Sequence, residues 1–198
     1  QWYVVAESAD VDAGPLAVEL LGEPFVLWRD PQGAVIAAAD RCPHREAPLS
    51  AGAVADGCLT CCYHGWMFGA GGRCIDVPST GAAHAVPPAA HLTTLPVVER
   101  FGLVWCSPGA PDGDVCEIAE EHDPAFRRIN TGVRAWTTHV TRMVDNFLDV
   151  SHFPWVHTGT FGRDQQRVSP VVELEDLDPD FVGYQYEVEV SDPEGRPV

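Results

Sequence analysis

The sequence predicts an all-β domain over residues 1–108 followed by the first part of an α+β domain over residues 109–198. Three observations carry this expectation. Up to Cys106 the apolar residues come in short runs separated by turn chemistry, a strand pattern without helical period. At residues 140–150 the period changes, and Val140, Val144, Phe147 and Leu148 fall on one helical stripe. Residues 171–177 and 181–190 then alternate apolar and polar around Asp178-Pro179-Asp180, which reads as a β-hairpin.

Strands are expected at residues 2–6, 16–21, 24–29 and 34–38, the last two joined by the Asp30-Pro31-Gln32-Gly33 turn. Residues 95–98 and 102–106, flanking Arg100, read as a closing hairpin. Trp2, Tyr3, Trp28 and Trp105 are expected in the core. The stretch from Ser107 to Asp114, with Pro108, Gly109, Pro111 and Gly113, is rich in breakers and marks the domain boundary. In the second domain Pro154 disfavours helical backbone at Phe153 and is expected to end the helix. One helix and a two-stranded ribbon cannot bury a core together, so this domain reads as incomplete, and the start at Gln1 rather than Met reads as trimmed.

A hydrophobic content of 45% over 198 residues suffices for a core. Twelve basic residues, all Arg, against 29 acidic ones give a net charge of -17, a field that repels a phosphate backbone and argues against nucleic-acid binding. No apolar run approaches a membrane span and no signal peptide opens the chain, so no membrane association is expected and the cytoplasm is the expected compartment. Seven cysteines are an odd number, and two of them carry ligand spacing. Cys58, Cys62, Cys74, Cys106 and Cys116 are expected as free thiols, buried or half-buried.

The ligand spacing lies in Cys42-Pro43-His44 and Cys61-Cys62-Tyr63-His64, with sixteen residues between His44 and Cys61. Two cysteines and two histidines so arranged form the ligand set of a Rieske [2Fe-2S] cluster, with two thiolates on one iron and two imidazoles on the other. A zinc site is the alternative, although the single residue between Cys42 and His44 is short for two ligands of one metal. Gly65 permits close backbone approach and Trp66 can shield a cluster from solvent. A second constellation comprises Asn146, Asp149, His152 and His157. Asp149 and His152 are three apart, which on a helix puts them on one face, and His157 can fold back past Pro154. Two histidines and a carboxylate on one face of a metal suit non-haem Fe(II); ordinary surface or packing histidines are the duller alternative.

These residues resemble the Rieske oxygenase family. The resemblance rests on Arg41-Cys42-Pro43-His44-Arg45, Ala47-Pro48-Leu49-Ser50, Cys61, Tyr63-His64-Gly65-Trp66 and Phe68, and on the run from Asp145 to His157, which is similar to that family's iron-binding helix. Departures stand at Glu46, Cys62, Gly69 and Gly71. The respiratory-chain Rieske proteins carry an extra disulfide and a sulfur-bonding serine where this chain has Ala47, Tyr63 and Trp66. The potential is therefore expected at the low end of the Rieske range, roughly -150 mV.

The resemblance implies that Cys42, His44, Cys61 and His64 hold the [2Fe-2S] cluster and that His152 and His157 hold a mononuclear Fe(II). It implies that Asp149 is not a ligand but carries electrons from a neighbouring subunit's cluster histidine, with Asn146 behind it. The third iron ligand, an aspartate, is expected beyond Val198, with Asp178 and Asp180 as weak substitutes. The branch most resembled is that of vanillate demethylase and phthalate dioxygenase. It implies a helix-grip catalytic domain, a homotrimer, and electrons from NAD(P)H through a flavin and iron-sulfur reductase. It also implies O2-dependent hydroxylation or demethylation of an aromatic or cyclic substrate. A Rieske ferredoxin, an electron carrier without oxygenase activity, is the alternative, and a carrier has no need of residues 145–157. His84, His91, His122 and His139 have no partner at ligand spacing and read as surface or packing residues.

Overall fold

The computed structural model describes residues 1–81, 85–158, 168–169, 171–178 and 181–186. They divide into two compact units, Gln1–Arg134 and Ala135–Val198.

In the first unit β1 (Tyr3–Glu7), β2 (Leu16–Leu20), β3 (Glu23–Arg29) and β4 (Val35–Ala39) follow the expected strands closely. Four very short strands come next: β5 (Ala53–Ala55), β6 (Cys58–Thr60), β7 (Met67–Phe68) and β8 (Cys74–Asp76). The unit closes with β9 (Thr94–Leu95), β10 (Val97–Arg100) and β11 (Leu103–Cys106). Three antiparallel sheets result, ordered β2-β3-β4-β9, β1-β11-β10 and β5-β6-β7-β8. The expected closing hairpin is β10–β11, but Leu95 belongs elsewhere. Pro96 interrupts the run, and Leu95 pairs with Ala37 of β4.

Strand β3 is the centre of the packing. Val26 and Trp28 face a core shared with Ile36, Ala38, Leu49, Leu59 and Phe68, while Leu27 faces a second core with Ala6, Val11, Ala37 and Val104. A strand covered on both sides needs apolar residues at consecutive positions, which accounts for the unbroken runs Phe25-Val26-Leu27-Trp28 and Val35-Ile36-Ala37-Ala38. Of the expected core aromatics only Trp28 is fully buried. Trp2, Tyr3 and Trp105 are half-buried at the rim, where the Trp2 and Trp105 indoles donate to the carbonyls of Gly113 (3.0 Å) and Arg100 (3.1 Å).

Three hairpins turn on two residues, Leu21-Gly22, Asp56-Gly57 and Phe101-Gly102, all at positive φ. That geometry matches the strand twist, and the turn spends one non-glycine residue in the left-handed region each time. Arg29 ties the unit together: its guanidinium bonds Asp12, both carboxylate oxygens of Glu99 (2.9 and 3.0 Å) and the carbonyls of Ser8 and Gly33. Downstream of β11, Arg100 reaches the Val115 carbonyl (2.8 Å) and Glu117 (3.0 Å), and the Asn130 amide donates to the Phe101 carbonyl (3.1 Å).

In the second unit α1 (Val140–Leu148) stops two residues short of the expected end, and a second short helix, α2 (Phe153–Val156), follows. Pro154 occupies the first turn of α2, where the missing N–H is no loss, so Phe153 is helical against expectation. The apolar stripe of α1 is present, but Val140, Val144, Phe147 and Leu148 are all exposed. The expected hairpin is present but shorter than its pattern: β12 (Glu175–Asp178) pairs with β13 (Phe181–Gly183), residues 171–174 and 184–186 are not strand, and residues 187–190 lie outside the described residues. Among the described residues no helix is long and apolar enough to cross a membrane.

Candidate metal centres

The two ligand loops are built alike. In the first, the Cys42 N–H donates to the Ala47 carbonyl (2.8 Å) and the Glu46 N–H returns to the Cys42 carbonyl (2.8 Å). In the second, the Cys61 N–H donates to Trp66 (2.9 Å) and the Gly65 N–H returns to Cys61 (3.1 Å). Each loop is six residues long with a left-handed fifth residue, Glu46 at φ 58° and Gly65 at φ 72°. Gly65 is therefore needed for its φ and not for close approach, because a Cβ there would meet only Pro78 at an ordinary 3.4 Å.

The loops face each other, with the cysteines inward and the histidines outward. Cys42 and Cys61 are each 2% exposed, and their thiols lie within hydrogen-bonding reach of one another. Burial pushes the Cys42 thiol up to about 11, so in the absence of a cation that sulfur would stay protonated. The rings of His44 and His64 are 4.5 Å apart, and Trp66 stacks on His44 at 4.8 Å with the planes 3° from parallel. His44 is half-buried and His64 exposed. Desolvation first, then His64 and Arg45, disfavours the imidazolium at His44.

These residues fit a dinuclear cluster. His44 Nδ1 is buried with no hydrogen-bond partner, an orphaned acceptor of the kind a metal satisfies. Thiols paired with thiol and imidazole with imidazole suit the two ends of a [2Fe-2S] unit better than one zinc. Two contacts at the loop bases were not legible in the sequence: Asp40 accepts from the Ser50 N–H (2.7 Å) and hydroxyl (2.5 Å), and Gly52 lies against the Thr60 carbonyl.

In the second unit Asp149 is not helical. It caps α1 with extended backbone (φ -91°, ψ 109°), so Asp149 and His152 share no helical face. They meet through a turn instead, in which one Asp149 carboxylate oxygen accepts from the Ser151 N–H (2.8 Å) and from the Ser151 hydroxyl. The other oxygen then lies 3.5 Å from His152 Nδ1. Ser151 is the main cause, ahead of His152, that holds the Asp149 carboxyl below the usual carboxylate range. His152 and His157 cap the two ends of α2 with ring centroids 5.2 Å apart, so the single turn of α2, without the expected break at Pro154, brings His157 back toward His152. Tyr184 donates to the Leu148 carbonyl at 2.6 Å, just before Asp149. Asn146 is exposed on α1. The side chains of Asp178 and Asp180 lie outside the described residues.

Of the remaining histidines, His91 accepts from the Cys74 N–H (3.0 Å), His139 caps α1 by accepting from the Thr141 N–H (3.3 Å), His122 is exposed, and His84 is outside the described residues. Cys74 and Cys106 are buried and Cys58 half-buried as expected, but Cys62 and Cys116 are exposed. The Cys62 side chain points away from its neighbour to within 4.0 Å of the Pro48 carbonyl. A cavity of about 380 Å³ between β1 and residues 129–133, lined by Val4, Glu7, Leu103 and Ile129, reaches none of the candidate ligands.

Comparison with known proteins agrees with both units. Residues 1–96 match the family model of the Rieske [2Fe-2S] domain, and residues 136–194 match the vanillate O-demethylase oxygenase C-terminal domain. The chain is 37% identical over 177 residues to a putative toluene-4-sulfonate monooxygenase system iron-sulfur subunit of Comamonas testosteroni, covering 87% of this chain and 50% of that protein. It is 36% identical over 176 residues to the oxygenase component of dicamba O-demethylase from Stenotrophomonas maltophilia, covering 84% and 51%. Its fold superposes on the solved structure of NdmA from Pseudomonas putida CBB5 with a TM-score of 0.83 at 29% identity, covering 96% of this chain and 59% of that one. The chain thus spans about half the length of the curated relatives it matches. With a Rieske domain followed by the beginning of a vanillate O-demethylase-type oxygenase domain, the chain belongs to the Rieske oxygenase family.

Proposed function

We propose that this chain is part of the terminal oxygenase component of a multi-component monooxygenase, dioxygenase or O-demethylase acting on an aromatic or cyclic substrate. The observation that carries the reading is the pairing of the two loops, buried thiols at one end and imidazoles at the other, with His44 Nδ1 buried and unpartnered. Cys42 and Cys61 would hold one iron of the cluster, His44 and His64 the other, and His152 and His157 the mononuclear iron. When bound, the cluster supplies electrons singly and the mononuclear iron supplies the site at which dioxygen is activated.

The chain's own residues set the conditions for that chemistry. Sinking the cysteines and leaving His64 exposed presents the imidazole end to whatever accepts or donates the electron, while Trp66 covers His44 and excludes water from it. Ser151 keeps the Asp149 carboxylate ionised and aimed at His152 Nδ1, which fixes the ring and its tautomer. A carboxylate third ligand, a reductase drawing on NAD(P)H, and a homotrimer in which one subunit's cluster serves its neighbour's iron complete the proposal. The match of residues 136–194 to an oxygenase domain favours this over an electron-carrying ferredoxin.

Iron and acid-labile sulfide analysis with low-temperature EPR of the dithionite-reduced protein tests the reading. About two irons and two sulfides per Rieske centre and a rhombic signal with average g below the free-electron value are expected. Zinc without sulfide would overturn it. In the full-length protein, His152→Ala should abolish substrate oxidation and leave the Rieske signal intact; a variant that still turns over would exclude His152 as an iron ligand.

A further inference from the structure

We propose that Asp40 is a positioning residue of the first cluster loop, closing it at its base through Ser50. The inference rests on the Rieske reading above, and it concerns residues that the ligand motif does not contain. Asp40 follows the last residue of β4, and its own N–H donates to the Pro24 carbonyl at 3.0 Å, which anchors it to the start of β3. Across the loop, Ser50 sits in a 3-10 turn beside fully buried Leu49. The Asp40 carboxylate takes both donors of Ser50, the backbone N–H on one oxygen (2.7 Å) and the hydroxyl on the other (2.5 Å).

Everything between these two residues is the segment that carries Cys42 and His44. Its internal bonds, Cys42 to Ala47 and Glu46 to Cys42, shape the ligand turn but do not fix that turn to the sheet. The Asp40–Ser50 pair does so, and among the described residues Asp40 has no cationic partner, so its carboxylate is committed to this task. A bidentate, charge-assisted contact fixes orientation as well as distance. Removing such support from a metal centre typically weakens metal retention by about tenfold or more.

The test separates hydrogen bonding from charge. Asp40→Asn keeps an acceptor for the Ser50 N–H and offers an amide donor to its hydroxyl, which can turn to accept, whereas Asp40→Ala keeps neither. Purified variants are challenged with an iron chelator, and the loss of visible absorbance is followed alongside the EPR g-values. Bleaching of Asp40→Ala is expected to be roughly tenfold faster with displaced or broadened g-values, and Asp40→Asn is expected within about twofold of wild type with g-values unchanged. Ser50→Ala should fall between, with Ser50→Thr restoring retention.

A cluster-independent readout accompanies these. In the cluster-free protein the Ser50 amide should exchange faster in Asp40→Ala, while the Leu27 amide, in a sheet covered on both faces, keeps its protection. Wild-type retention in Asp40→Ala, an Asp40→Asn as labile as Asp40→Ala, or an unchanged Ser50 amide would each overturn the proposal. A wild-type protein that holds no iron-sulfur cluster would instead defeat the Rieske reading, with the Ser50 amide still deciding whether the closure exists.

Discussion

Replacing Gly52 by Ala should separate the two ligand loops without touching a ligand. The backbone at Gly52 is extended with negative φ (φ -84°, ψ -151°), so the substitution carries no left-handed penalty. Space is the obstacle. A Cβ would lie 2.1 Å from the Thr60 carbonyl oxygen, 2.9 Å from that of Leu49 and 3.2 Å from the Thr60 carbonyl carbon. All three are backbone atoms, so no side-chain rotation relieves the clash, and the chain must move by about an ångström to restore contact distance. On one side of the contact stands Leu49, behind the first loop, and on the other Thr60, immediately before Cys61; Leu49 and neighbouring Leu59 are both fully buried. Displacement therefore strains the core as well as the sheet, at a cost of about 3 kcal/mol. Urea denaturation measures it, with iron content per chain as the functional readout, and Gly71→Ala is the control. Gly71 has φ 61° with nothing within 4 Å of its would-be Cβ, so its replacement costs only the left-handed penalty, about 1 kcal/mol. A Gly52→Ala variant no less stable than Gly71→Ala, with full iron content, would refute the reasoning.

Two further outcomes are expected. Glu46 occupies the left-handed position that Gly65 fills in the other loop, and its ion pair with Arg41 (3.7 Å) joins two largely exposed side chains. Glu46→Gly should therefore gain roughly 0.5 kcal/mol in urea denaturation, the relieved φ outweighing the pair and the added chain entropy, and a loss would contradict this. Glu99 is held below its ordinary value chiefly by the Arg29 guanidinium. Because the folded value is the lower one, its contribution is complete above about pH 4.3 and disappears as pH falls through the folded value. Glu99→Gln should cost about 1 kcal/mol at neutral pH and show a smaller loss of stability than wild type on acidification; parallel pH profiles would refute the assignment.

The large strands of the first unit were readable because β3 and β4 are covered on both faces and must be apolar at consecutive positions. Strands β5 to β8 were not, since two or three residues hold no period and exist only through their partners. The helix at Val140–Leu148 was visible in its stripe, but its end was not. The Asp149–Ser151 turn competes with the last helical turn for backbone donors, and Pro154 serves as readily to start a helix as to stop one.

The candidate ligands of the proposed cluster were likewise legible in the sequence alone, because cluster chemistry demands particular side chains at particular spacings. The supports of those ligands lie in contacts that local pattern does not encode. Asp40 meets Ser50, Gly52 meets Thr60, and Arg29 meets Glu99 only when distant segments pack. The sequence by itself determined which side chains are candidates to hold metal and where β2, β3 and β4 lie to within a residue. Only the tertiary structure decided that the cysteines lie inward and the histidines outward, that Gly65 is needed for its φ, and that Asp149 reaches His152 through a turn. Donor chemistry belongs to single residues, whereas burial, clash and loop closure are properties of pairs brought together by folding.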